Sequence, residues 1–239
     1  MTVNTNLITN KVKLAVFDLD GNLAPIGKPI ESKNVALLKE IENKGIRIAI
    51  SSGKTLYYLV GMFRQIGLSA PVFIGENGNC IAYGVDLPLK LCESLPIPPD
   101  FFKTKENILK EVSTLFKDKF WLQPNDVALT LFFKDAETKT GLHDFFEANI
   151  YDSTVVYEHS DSFDIVPKGI DKKTSLQALG KELNISSDEM IAIGDGVNDI
   201  PMIKYCKYSI GIAPLDTSLT TWHYDDIFNA LDFINKTLC

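Results

Sequence analysis

A doubly wound parallel α/β sheet, interrupted by an inserted α+β module, is the fold this sequence predicts. Three observations point to it. Short apolar runs rich in β-branched residues recur along the chain, helix-type patterns separate them, and the alternation breaks over one long middle segment. At 239 residues, 45% of them hydrophobic, the chain can build one large core, or a core with a smaller insert.

The runs are "KLAVF" (13–17), "IRIAI" (46–50), "PVFIG" (71–75), "MIAIG" (190–194) and "YSIGI" (208–212). They are nearly continuous rather than alternating, as expected of strands covered on both faces. Between the first two, "ESKNVALLKEIENKG" sets Val35, Leu38 and Ile41 on one helical face, offers Ser32 as an N-cap and stops at Gly45. "TLYYLVGMFRQIG" and "KKTSLQALGKELN" read as helices in the same way.

After "CIAYG" (80–84) the pattern changes. Residues 85–163 begin with a Pro-rich stretch, then show a helix pattern near 103–117 and a β-like run, "VALTLFF" (127–133). A second helical stretch at 138–148 and a strand-like "STVVYEH" follow, roughly a βαβ–αβ set. This predicts an inserted cap domain at 85–163 with its own small sheet, set into a core formed by 1–84 and 164–239. The pairs Phe101-Phe102 and Phe145-Phe146 are expected in the interior of that cap.

The net charge of −7 argues against a nucleic-acid groove, which needs clustered Lys and Arg. A small anionic substrate remains compatible, because a few local cations and a metal can reverse the potential inside a site. The opening "MTVNTNLITNKVK" lacks the apolar segment of a secretory signal, and no apolar run approaches the ~20 residues of a membrane helix. Cys80, Cys92, Cys206 and Cys239 are scattered, as free thiols of a reducing compartment would be. A cytoplasmic protein is expected. His143, His159 and His223 show no ligand spacing and are expected to be surface or structural residues.

Polar residues fall where strands end. Asp18 and Asp20 follow the first run, Ser51, Ser52 and Gly53 the second, and "GDGVND", with Asp195 and Asp199, the fourth. In open α/β sheets, ligands bind at the carboxyl ends of strands near the point where strand order reverses. Carboxylates gathered there repel unless a cation sits among them, and hard oxygen donors suit Mg²⁺. Asp18 and Asp195 are the expected carboxylate ligands, with the Asp20 carbonyl as a third and Asp199 orienting the metal's remaining ligands.

Two aspartates separated by one residue suit a division of labour. Asp18 can attack phosphorus, while Asp20 protonates the leaving alcohol and later takes a proton from water. Gly21 permits the sharp exit from the strand. Ser52 and Gly53 are expected at the phosphate, with Asn198 beside them. Lys172, in "KGIDKKTSLQAL", would supply the positive charge that phosphoryl transfer needs.

Neighbouring patterns are excluded by spacing. An EF-hand would place glycine sixth and glutamate twelfth from Asp18, but here glycine is fourth and Pro29 is twelfth. "SSGKT" imitates a P-loop, yet the glycine required five residues before Gly53 is Ile48.

"DLDGN", "SSG", Lys172 and "GDGVND", in that order, resemble the four signature motifs of the haloacid dehalogenase superfamily of phosphatases. The resemblance spans the core over residues 13–212 and implies a Rossmann-like fold, with Asp18 as nucleophile, Asp20 as general acid/base, Ser52 and Lys172 at the phosphate, and Asp195 and Asp199 at the metal. The long insert implies a C2-type cap, and "GENGN" (75–79) is similar to a segment of the Cof-like branch. Within that branch, "DGNL" and the small cap resemble archaeal-type phosphoglycolate phosphatases. Two features depart from the pattern. Lys54 stands where the family often has Arg, and residues 85–163 contain no arginine.

The expectation is therefore a Mg²⁺-dependent phosphatase acting on a small phosphorylated metabolite, with phosphoglycolate as the leading substrate. The alternatives are a sugar-phosphate phosphatase of the sucrose-phosphate or mannosyl-phosphoglycerate type, a phosphomutase, or a phospho-Asp receiver module. A receiver is a single domain of roughly half this length, without an insert.

Overall fold

The computed structural model describes residues 11–92 and 95–238. Cys239 and the opening ten residues, on which the leader reading rests, lie outside them. The main sheet has eight strands, β1 (Leu14–Phe17), β2 (Arg47–Ser51), β3 (Val72–Gly75), β4 (Cys80–Tyr83), β5 (Lys90–Leu91), β10 (Met190–Gly194), β11 (Tyr208–Ile212) and β12 (Trp222–Tyr224). Their order is β12-β11-β10-β1-β2-β3-β4-β5. The pairings from β12 to β3 are parallel, and β4 and β5 add antiparallel strands at one edge.

The even-odd alternation of the strands explains both layers. Ala15 and Phe17 of β1 face one core with Leu38, Ile41, Leu59 and Leu231, drawn from α1 (Ser32–Asn43), α2 (Leu56–Arg64) and α7 (Ile227–Phe233). Leu14 and Val16 face the other core with Leu176, Leu179 and Met202, from α5 (Lys172–Leu183) and α6 (Ile200–Tyr205). Burying each of these large side chains contributes roughly 1.5–3 kcal/mol. With helices on both faces, the polar groups of β1, β2 and β10 can meet only at the strand ends.

Helix ends follow local chemistry, with one correction. Asp171 caps α5 by accepting from Thr174 N at 2.8 Å, while Thr174 Oγ1 accepts from Asp171 N at 2.9 Å. Asn184, left-handed at φ 54°, ends that helix. Thr55 caps α2 through Tyr58 N. In α1, however, Ser32 is the first helical residue, not the N-cap. The extended Glu31 takes that position, and its carbonyl accepts from Asn34 N and Val35 N.

The second sheet has four antiparallel strands in the order β6-β7-β9-β8. These are β6 (Phe120–Leu122), β7 (Leu129–Phe133), β8 (Thr154–Glu158) and β9 (Ser162–Pro167). Helices α3 (Phe101–Phe116) and α4 (Ala136–Ala148) cover one face, packing Ile108, Val112, Leu142 and Phe145 onto Leu129, Leu131 and Phe163. The order is thus αββαββ rather than the expected βαβ–αβ set. β6 is only three residues long and half exposed, so its pattern is weak. β9 crosses residue 163 and pairs wholly within the second sheet, whereas Lys90-Leu91 pairs with β4 of the main one. The other face of this sheet, carrying Thr130, Phe132, Ser162 and Asp164, turns towards the ends of β1, β2 and β10.

Candidate active site

Asp18 leaves β1 with its amide bonded to Ile193 O at 2.9 Å, which fixes it against the end of β10. A tight turn follows, in which Gly21 N donates to Ala24 O and Ala24 N to Leu19 O. Gly21 has φ +86°, and a Cβ there would lie 2.7 Å from Asp195 Oδ2. The glycine is required twice, for its left-handed backbone and for the approach of the two loops. Beyond β10, a 3₁₀ turn at Val197–Asp199 folds Asp199 back over Gly194. Asp199 Oδ2 then accepts from the amides of Asp195 and Gly196, both at 3.0 Å.

These loops bring one acidic cluster together. One carboxylate oxygen from each of Asp18, Asp195 and Asp199 lies within 4.8 Å of the others. Lys172 lies beneath, only 1% exposed, with Nζ 2.6 Å from Asp18 Oδ1, 2.6 Å from Asp199 Oδ1 and 3.0 Å from Ser51 O. All three ammonium protons are engaged, and Lys172 is not among the residues lining the cavity above.

Three carboxylates around one ammonium leave a negative excess in a buried site. Burial pushes Asp18 up to about 8; Lys172 opposes this, and repulsion from Asp199 and Asp195 adds to it. Burial, with repulsion from Asp199, raises Asp195 to about 6 against the pull of Lys172. For Lys172, burial disfavours the charge, but Asp18 and Asp199 outweigh it and hold the ammonium protonated. An all-oxygen cluster short of positive charge fits a divalent cation, and its donor chemistry suits Mg²⁺. Asp199 is already committed to Lys172 and two amides, so Asp18 and Asp195 keep the freer oxygens.

Above the cluster is a cavity of about 180 Å³. Its floor includes Asp18, Asp20, Ser52, Gly53, Asp195 and Asn198, so β1, β2 and β10 do converge. Asp20 stands apart from the acidic cluster, its carboxylate 3.6 Å from Lys54 Nζ. Lys54 also lies 5.3 Å from the ring centre of Phe132 in the second sheet, so it touches floor and roof together. Ser52 is buried, and its Oγ accepts from Lys54 N at 3.2 Å.

The roof held residues that the sequence did not reveal. Gln123, Thr130, Phe132, His159, Asp161 and Asp164 all line the cavity. His159, expected to be surface or structural, has Nε2 3.3 Å from Asp164 Oδ2. Burial works against the His159 charge, but Asp164 raises its pKa above the ordinary value, while burial of Asp164 is outweighed by His159, Thr130 and Asn77. The available signal for Asp164 was a lone carboxylate between the apolar Phe163 and Ile165. Among the described residues, no helix is long and apolar enough to cross a membrane.

Comparison with known proteins places this geometry. A family model described as haloacid dehalogenase-like hydrolase matches residues 15–113 and 99–218. The chain belongs to that family. This hydrolase is 25% identical over 222 residues to a phosphoglycolate phosphatase of Methanoculleus marisnigri, covering 88% of this chain and 89% of the relative. It is 23% identical to an HMP-PP phosphatase of Yersinia pseudotuberculosis, with 80% of each covered. In fold it is similar to a HAD/COF-like hydrolase from Plasmodium vivax, with a TM-score of 0.79, 17% identity and 98% of each chain covered. The Cof-like resemblance and the α/β fold are thereby borne out.

Proposed function

We propose that this hydrolase is a Mg²⁺-dependent phosphomonoesterase that cleaves a small phosphorylated metabolite through a phosphoryl–Asp18 intermediate. What carries the reading is the meeting of Asp18, Asp195 and Asp199 within 4.8 Å, beside a cavity that Asp18 and Asp20 both line. When bound, the cation would supply neutralising charge for the carboxylates and for the phosphoryl oxygens. Asp18 and Asp195, with the Asp20 carbonyl, would hold it, and Asp199 would brace the loop.

Asp18 forms a bond to phosphorus as the bond to the leaving oxygen breaks, and Asp20 delivers its proton to that oxygen. Water then attacks phosphorus, Asp20 takes its proton, and the Asp18–phosphorus bond breaks to release phosphate. Ser52, Gly53 and Asn198 line the cavity where the non-transferring oxygens would lie. Lys172 orients Asp18 from below, and its charge opposes the burial that disfavours the Asp18 carboxylate.

Phosphoglycolate is the leading substrate because several relatives carry that name and cover most of both chains. One observation favours a second reading. The roof presents the carboxylates of Asp161 and Asp164 and contains no arginine, which suits a hydroxyl-rich leaving group such as a sugar better than a carboxylate. We place the substrate among the small phosphorylated molecules of the cytoplasm, with neither nucleic acid nor membrane as partner. The test is phosphate release from a panel of phosphorylated metabolites with Mg²⁺, comparing the native chain with Asp18→Asn. The native chain turns over at least one ester, and the variant loses more than about a hundredfold; equal rates would overturn the nucleophile.

A further inference from the structure

The cap-facing turn at Glu76–Asn77 has no part in the chemistry above, yet it is backbone-strained and fully buried. Glu76 has φ 51° and Asn77 φ 56°, two consecutive left-handed residues that carry side chains. Glu76 is 0% exposed. Strain of this kind persists only where surroundings over-determine it.

Here they do. The Glu76 carboxylate accepts from three successive amides of the second domain, Asp126 N, Val127 N and Ala128 N, each at 2.9 Å. Lys105, on α3, holds the same loop from its other side by donating to Val127 O at 2.8 Å. Peptide dipoles are thus aligned between a carboxylate and an ammonium, and charge-assisted bonds of this kind are the stronger ones.

Asn77 makes the complementary connection. Its backbone amide donates to Ser52 O at 3.0 Å, its side-chain amide donates to Asp164 Oδ2 at 2.7 Å, and its oxygen accepts from Asn198 Nδ2 at 3.1 Å. One residue therefore touches the phosphate loop, the metal loop and the roof. The path continues through Asp164 Oδ1, which accepts from Thr130 Oγ1, then Asn125 and Gln123, which returns to Gly53 O. The bonds close a belt around the cavity, and Asp164 accepts from both directions.

We propose that Glu76 and Asn77 are positioning residues that seat the roof over the phosphate and metal loops. Glu76 sets the roof's place by gripping main-chain amides, and Asn77 transmits that place to Ser52 and Asn198. The kinetic part of this inference rests on the phosphatase reading; the structural part does not.

The test joins hydrogen exchange with kinetics on p-nitrophenyl phosphate and Mg²⁺. Glu76→Gln keeps the shape but weakens the grip, so exchange at the amides of 126–128 rises at least about tenfold while the main-sheet amides stay protected. Asn77→Asp retains the left-handed turn and the bond from Asn198 but sets a carboxylate against Asp164. It accelerates the same amides and raises KM more than it lowers kcat. Adding Asp164→Asn restores donor to acceptor and recovers at least about half of both effects, as coupled partners should in a double-mutant cycle. Unchanged exchange in Glu76→Gln, or a double variant no better than Asn77→Asp alone, would overturn the proposal. The exchange arm decides it even if no ester is turned over, so failure of the phosphatase reading is separately visible.

Discussion

Lys172 Nζ lies 2.6 Å from Asp18 Oδ1 at the base of the cavity, with 1% of the lysine exposed. The pair joins residues 154 positions apart and holds the would-be nucleophile by one of its two oxygens. A second carboxylate, Asp199, accepts from the same ammonium. Lys172→Met leaves these carboxylates without their internal cation. Removing one partner of a buried ionic network costs about 3–5 kcal/mol, so chelator-treated protein should lose that much stability in urea unfolding. Millimolar Mg²⁺ should return part of it.

The acid cluster also predicts a pH dependence for the metal-free chain. Asp18 and Asp195 have folded pKa values raised above the ordinary 3.8, to about 8 and about 6. The folded state therefore binds their protons more tightly than the unfolded one. Their contribution is fully present below about 4 and is lost as pH rises through 6 towards 8. Thermal unfolding with chelator should show a falling midpoint between pH 5 and 8. Mg²⁺ should raise the midpoint more at pH 8 than at pH 5, since only ionised carboxylates bind it well.

Gly21→Ala tests the approach of the two loops. The new Cβ would sit at φ +86° and 2.7 Å from Asp195 Oδ2. Stability should fall by about 1–3 kcal/mol, and the metal requirement should weaken in affinity, because Asp195 is displaced. Calorimetric titration of Mg²⁺ into the native and variant chains measures the second effect.

Asp161→Asn separates the two substrate readings. Asp161 lines the cavity from the roof, and removing its charge relieves repulsion of an anionic leaving group. KM for phosphoglycolate should fall about two- to fivefold, while KM for a hexose phosphate that donates hydroxyls to this carboxylate should rise by a similar factor. Steady-state phosphate release on both esters, at one ionic strength, gives the comparison.

Local pattern made half of this site legible. Asp18, Asp195 and Ser52 each follow a run of buried strand residues, and a parallel sheet must bring such positions to one edge, so their convergence could be read from the chain. Asp164 and His159 could not. Asp164 sits in an apolar strand that reads as core, and its partner Asn77 is 87 residues away. His159 gains its carboxylate neighbour only because β9 turns Asp164 towards it. The three-residue strands β6 and β12 were missed for a related reason, since each is too short to display a period and is held by its neighbour's hydrogen bonds. Ser32 failed as a cap by a single position, where the carbonyl of Glu31 supplies the helix start without any side-chain contribution.

Glu76 holds peptide groups of residues 126–128 and leaves their side chains unread. The exposed side chain of Asp126 can therefore change without unseating the roof. Because the grip is on main-chain amides outside the cavity lining, a lineage built on this framework can vary lining side chains such as Phe132 and Asp161 while inheriting, unaltered, the way its two halves meet.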